Sequence, residues 1–81
     1  MGRRSLSDPD YVEFIATLRR VRLAKGVTQK ALSERIGKPQ SFVAKVENRE
    51  RRLDLLEVLK LCRALSVRLS DIAPAGWRKT L

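Results

Sequence analysis

Eighteen lysine and arginine side chains stand against nine aspartates and glutamates in this chain of 81 residues, a net charge of +9. Cations in that excess on so small a chain attract polyanions, and nucleic acid is the commonest such partner. Groups that could do covalent or proton-transfer chemistry are scarce by comparison. There is no histidine to serve as a general base or zinc ligand, and the carboxylates are not clustered. Neither general acid–base catalysis nor a His-containing zinc centre is therefore expected. Cys62 is the only cysteine, so no intramolecular disulfide framework is possible. It lies in the apolar helical run Leu59, Leu61, Leu65, where a small buried thiol is the expected role. No catalytic residue, metal or cofactor is expected, and the chain does not read as an enzyme.

The elements that must carry the cations are helical. Residues 1–7 form a short polar, basic arm containing Arg3 and Arg4, and residues 8–73 are expected to form one all-α domain of five helices, followed by a tail over 74–81. Asp8-Pro9 is a cap followed by a first-turn proline, and Tyr11, Phe14 or Ile15, Leu18, and Val21 or Arg22 recur at helical spacing until Gly26. Thr28 caps a second helix through Ile36, with Gly37 directly after it. A third helix is expected from Gln40 to about Asn48, with Val43 and Val46 inward. Asp54 and Glu57 make a capping box before Leu55, Val58, Leu61, Cys62 and Leu65, and a last short helix fits Leu69 to Ile72. No stretch approaches the roughly 20 apolar residues of a membrane span. The Arg3-Arg4 pair has no apolar region after it of the kind an export signal needs. A cytoplasmic protein without membrane association is expected.

Two short helices joined across Gly37 have the geometry of a helix-turn-helix unit. Gly37 is free to take the left-handed conformation that turns the chain, and Ser33 is small where a large side chain would push the helices apart. From Leu18 to Ile72 the sequence resembles the Cro/lambda-repressor type of helix-turn-helix domain, the XRE family. The resemblance is carried by Leu18-Arg19-x-x-Arg22, Gly26-Val27-Thr28-Gln29, Leu32-Ser33, Ile36-Gly37, Gln40-Ser41-x-Val43, Val46-Glu47-Asn48 and Ala64-Leu65-Ser66-Val67.

The resemblance implies a lambda-repressor-like fold of five helices whose third helix, about 40–48, enters the major groove of double-stranded DNA. It implies base contacts from Gln40, Ser41 and Lys45; Ser41 and Lys45 are one turn apart, on the face opposite Val43 and Val46. Glutamine suits adenine and lysine suits the acceptors of guanine. It implies a phosphate held at Thr28 and Gln29, where a helix N-terminus offers free N–H groups. It also implies a salt bridge between Arg22 and Glu47. The family's habit is a homodimer on an inverted-repeat operator, most often as a repressor, in a prophage, a restriction–modification system or a toxin–antitoxin pair with a cognate toxin.

Outside those motifs, Lys38, Arg49, Arg51 and Arg52 flank the third helix, where they are placed to meet phosphates; a solvated face is the alternative. Three positions depart from the family pattern. Pro39 replaces a Ser or Thr cap, Leu53 a proline, and Leu56 a polar residue. Both leucines are read as lying beyond the core face and, with Trp77, as candidate dimer contacts. Two other functions stay open at this point. One is an RNA-binding or coactivator-type adaptor, and the other a protein-interaction module such as an antitoxin, with Leu53, Leu56 and Trp77 as its working surface.

Overall fold

The computed structural model describes residues 6–81, so the arm is outside the described residues except for Leu6 and Ser7, and Arg3 and Arg4 are outside it altogether. Among the described residues five α-helices follow one another: α1 (Pro9–Ala24), α2 (Gln29–Arg35), α3 (Phe42–Glu47), α4 (Leu55–Leu65) and α5 (Leu69–Ile72). A 3-10 turn, Ala75–Trp77, ends the series. No strand is found among these residues, and no helix is long and apolar enough to cross a membrane.

Local chemistry accounts for most of the boundaries. The Asp8 carboxylate accepts from the Asp10 amide at 2.8 Å, and Pro9, which lacks an N–H, opens α1. Thr28 Oγ1 accepts from the Ala31 amide at 3.0 Å to start α2. Gly37, at φ +70°, then turns the chain in the left-handed region that costs a glycine nothing. Asp54 and Glu57 close a reciprocal capping box at α4: Asp54 accepts from the Glu57 amide at 2.7 Å, and Glu57 from the Asp54 amide at 3.0 Å.

The third helix is shorter than its sequence suggests. Pro39 O accepts from the Phe42 amide at 2.9 Å, so residues 39–42 form a turn, and Gln40 and Ser41 stand in it rather than in α3. Ser41 makes no side-chain cap. Instead the buried Ser33 hydroxyl reaches across from α2, accepting from the Val43 amide at 3.0 Å and donating to Gln29 O at 2.9 Å. Ser33 is thus both small enough for the close approach and the acceptor that satisfies a buried N–H of α3.

α3 packs on α1 and α2, α4 on α2 and α5, and α5 on α1. The core between them gathers Phe14, Ile15 and Leu18 of α1, Leu32 of α2, Phe42, Val43 and Val46 of α3, Leu61, Cys62 and Leu65 of α4, and Ile72 of α5.

The two leucines that flank the cap of α4 differ sharply in burial. Leu53 is only 9% exposed and belongs to the core, so it offers no free surface for a dimer contact. Leu55, the first apolar residue after Asp54, is 70% exposed. The cause is the cap at Asp54: Leu53 is the residue before the cap, and Val58, four after it, packs against the same cluster. That pairing is a hydrophobic staple, and it turns Leu53 inward and the first helical residue outward.

Candidate nucleic-acid interface

Two buried carboxylates fix the helix-turn-helix unit to the rest of the domain. Glu47, at the end of α3, receives Arg22 of α1 in a two-pronged bond, Nε to Oε2 at 2.7 Å and Nη2 to Oε1 at 2.9 Å. The third nitrogen, Arg22 Nη1, donates to Val27 O at 2.8 Å. Arg22 and Glu47 side chains are 6% and 2% exposed, so the pair joins α1 to α3 out of reach of solvent. Gln29, the first residue of α2, also donates from Nε2 to Glu47 Oε1 at 2.8 Å, tying all three helices at one carboxylate.

The second centre lies at the N-terminus of α4. Glu57 accepts from Arg51 in a fork, Nη1 to Oε1 at 2.8 Å and Nη2 to Oε2 at 2.9 Å, while Lys38 Nζ stands 2.8 Å from Oε2. Both cations lie over the Phe42 ring, Lys38 Nζ at 5.3 Å and Arg51 Cζ at 4.7 Å from its centroid. Burial by itself pushes the Glu57 carboxyl up. The hydrogen bonds from Arg51, Lys38 and the Asp54 amide, with the Arg51 charge, outweigh burial and hold it down at about 2. Glu57 is therefore ionised at any ordinary pH. The capping box accounts for a glutamate at 57 by itself, so nothing in the residue pattern pointed to a second role. Phe42 shows no such ambiguity: it lies one residue before the inward Val43 and four before Val46, and its burial was open to reading from helical spacing.

The remaining cations and polar groups named from the sequence spread around α3. Gln40, Ser41 and Lys45 are exposed, and the Lys45 amide donates to Ser41 O at 3.1 Å, setting those two residues one turn apart. Lys38, Ser41, Lys45 and Arg51 line one cleft of about 490 Å³, together with Phe42 and the carboxylate-bearing Glu50. Thr28 is exposed, and its Oγ1 accepts the capping bond, which leaves the hydroxyl hydrogen available to an acceptor. Arg49 is exposed in a left-handed turn at φ 58° and donates to Leu6 O at 2.9 Å. Arg52 is exposed, and its carbonyl accepts from Arg51 Nη1 at 2.8 Å.

Away from this face, Leu55, Leu56 and Leu59 are exposed along α4. Trp77 is half exposed and donates from Nε1 to Asp10 Oδ2 at 2.7 Å, holding the 3-10 turn against α1. Cys62 is buried and free, and burial, with Asp71 nearby, pushes its thiol pKa up, away from the thiolate that reactivity requires.

A short helix crossed by a second one, whose outer face is polar and whose inner face is locked by ion pairs, is a helix-turn-helix unit, and the comparisons agree. Residues 18–72 match the helix-turn-helix family HTH_3. The chain is similar to the solved XRE-family like protein from Pseudomonas syringae pv. tomato str. DC3000, at 41% identity and TM-score 0.71 over 82% of each chain. It is similar also to the restriction-modification controller protein C.AhdI from Aeromonas hydrophila, at 38% identity and TM-score 0.66 over 70% of this chain and 86% of that one. No curated protein matches it. The chain belongs to the XRE family of helix-turn-helix proteins, with the all-α lambda-repressor-like fold. It is a DNA-binding regulator of transcription.

Proposed function

We propose that the chain is a sequence-specific repressor that binds double-stranded DNA as a homodimer, each copy laying α3 and the turn before it, residues 40–48, into the major groove of one half of an inverted repeat. The observation that carries this is the polar face of that segment: Gln40, Ser41 and Lys45 are exposed while Phe42, Val43 and Val46 are buried behind them. These three side chains read bases, each good contact contributing about 1–3 kcal/mol of discrimination. Thr28 and Gln29 meet a phosphate with the donor hydrogens that capping and Glu47 leave over. Lys38, Arg49, Arg51 and Arg52 meet phosphates beside the groove. The dimer is built from Leu56 with its exposed neighbours Leu55 and Leu59, and from Trp77.

Selection of duplexes from a random pool at about 0.15 M salt, where purely charge-driven binding fades, tests the reading. An inverted repeat with half-sites about 10 base pairs apart is the expected product. Gln40→Ala and Lys45→Ala should relax the selected sequence without unfolding the protein, and Leu56→Glu should yield a monomer by sedimentation. Recovery of no sequence, or indifference to Gln40→Ala and Lys45→Ala, would overturn it. Among circuits, the likeness to a restriction-modification controller favours that one over a prophage or an antitoxin with a cognate toxin. Neighbouring genes for a methyltransferase and an endonuclease would bear this out, and a toxin gene would reject it.

A further inference from the structure

We infer that Glu57 is a positioning residue for DNA binding: it gathers Lys38 and Arg51 into a single seat for one stretch of the DNA phosphate backbone beside α3. This rests on the function proposed above and adds to it a residue that itself touches no DNA. Lys38 comes from the turn between α2 and α3, and Arg51 from the loop that leaves α3. Two cations from separate segments repel one another and, left alone, spread into solvent. Here they meet on the same carboxylate oxygen, Glu57 Oε2, Lys38 Nζ at 2.8 Å and Arg51 Nη2 at 2.9 Å.

The carboxylate is buried and anchored from behind by the Asp54 amide, so it cannot follow a cation outward. Both cations also lie over the Phe42 ring. The cations are not consumed by this arrangement. Their side chains remain 28% and 42% exposed, they open into the cleft shared with Ser41 and Lys45, and the cluster of one carboxylate and two cations keeps a net positive charge. Lys38 retains two ammonium N–H groups, and Arg51 retains Nε and one Nη2 hydrogen. A phosphodiester arriving from the solvent side meets donors already in place, so the ordering cost falls on folding rather than on binding. The alternative role for the same carboxylate is a mask that holds the two cations off the DNA, and it predicts an effect of opposite sign.

The test is the salt dependence of binding to a selected duplex by the full chain and its Glu57→Gln variant, with helicity and thermal melting measured alongside. Each phosphate contact adds about 0.9 to the slope of log affinity against log salt, which is about fivefold in affinity at 0.15 M salt relative to 1 M. Glu57→Gln is expected to flatten the slope by about 1–2 and to weaken binding by about five- to thirtyfold in a protein that still melts above the assay temperature. An unchanged slope, or tighter binding with a steeper one, overturns the inference while leaving the functional reading standing. Failure of the unaltered chain to bind any duplex overturns both. Should the variant not fold, the unaltered chain decides by NMR. The Glu57 carboxyl carbon should keep its shift when DNA is added while the Lys38 ammonium resonance moves, and release of Glu57 from its cations on binding would overturn the inference.

Discussion

Glu47 and Glu57 are both nearly lost to solvent, and both accept a fork of arginine nitrogens, yet their cations stand in different places. Arg22 is buried with its carboxylate, and each of its three nitrogens already has a partner in the protein. Lys38 and Arg51 are partly outside, with N–H groups unspent. Arg22 therefore has nothing to give a ligand; its bond to Glu47 orients α3 against α1 and α2. The second centre orients its cations and still presents them. The same pair of chemical groups becomes scaffold or contact surface according to how far the cations reach past the carboxylate.

The largest expected effect is on the closed centre. Glu47→Ala leaves the Arg22 guanidinium buried without its counter-charge, a change that costs about 3–5 kcal/mol. Chains of this length are stable by only about 4–12 kcal/mol, so urea unfolding should show a domain close to failure. A loss smaller than that caused by Glu57→Gln would break the distinction between the two centres.

The open centre should reveal itself through acid. The Glu57 carboxyl is held at about 2, below its ordinary 4.5, so the folded state prefers the ionised form. Its contribution to stability is whole above about pH 4.5 and is lost as pH falls towards 2. Glu57→Gln should be less stable than the unaltered chain by roughly 2 kcal/mol at neutral pH, allowing for screening of its partly exposed partners. The gap should close by pH 2, as followed by urea unfolding at several pH values. A gap that persists in acid would assign the loss to the shape of the side chain rather than to its charge.

How legible each centre was in the sequence follows the same divide. The helices announce themselves by capping residues and spacing, because Asp8, Thr28 and Asp54 act on amides two or three residues away. Arg22 falls on the inward stripe of α1, which demands a buried partner, and the family pattern supplied Glu47. The open centre depends on Lys38, Arg51 and Glu57, brought together from three segments, and the glutamate already had a sufficient local reason in the capping box. The turn at Pro39 and the staple at Leu53 are local features. They escape a reading that starts the third helix at Gln40 and sets Leu53 against the family's proline rather than against Val58, four residues after the Asp54 cap.

Ser33 connects the two centres, since it fixes the start of α3 against α2. Ser33→Ala fits the space but leaves the buried Val43 amide without an acceptor, a loss of about 1–2 kcal/mol in urea unfolding. Because Glu47 and Glu57 both hold α3 in place, the folded remainder should retain its operator sequence. A changed operator preference would mean that the two carboxylates do not by themselves orient the reading face.

The smallest expected effect separates the ring from the carboxylate at the open centre. Phe42→Leu keeps most of the apolar burial and removes the ring face beneath Lys38 and Arg51. Cation–π contacts at partly exposed sites are worth about 0.5–1 kcal/mol each, and much of that is replaced by contact of the cations' aliphatic stems with leucine. Stability should fall by about 1 kcal/mol. Operator affinity should weaken by less than in Glu57→Gln, because the carboxylate still holds both cations while only the surface they lie on has changed. If Phe42→Leu flattened the salt dependence as much as Glu57→Gln, orientation would belong to the ring and the carboxylate jointly. Were binding wholly indifferent, the ring would be core alone, and the seat would consist of one carboxylate, two cations and the fixed amide behind them.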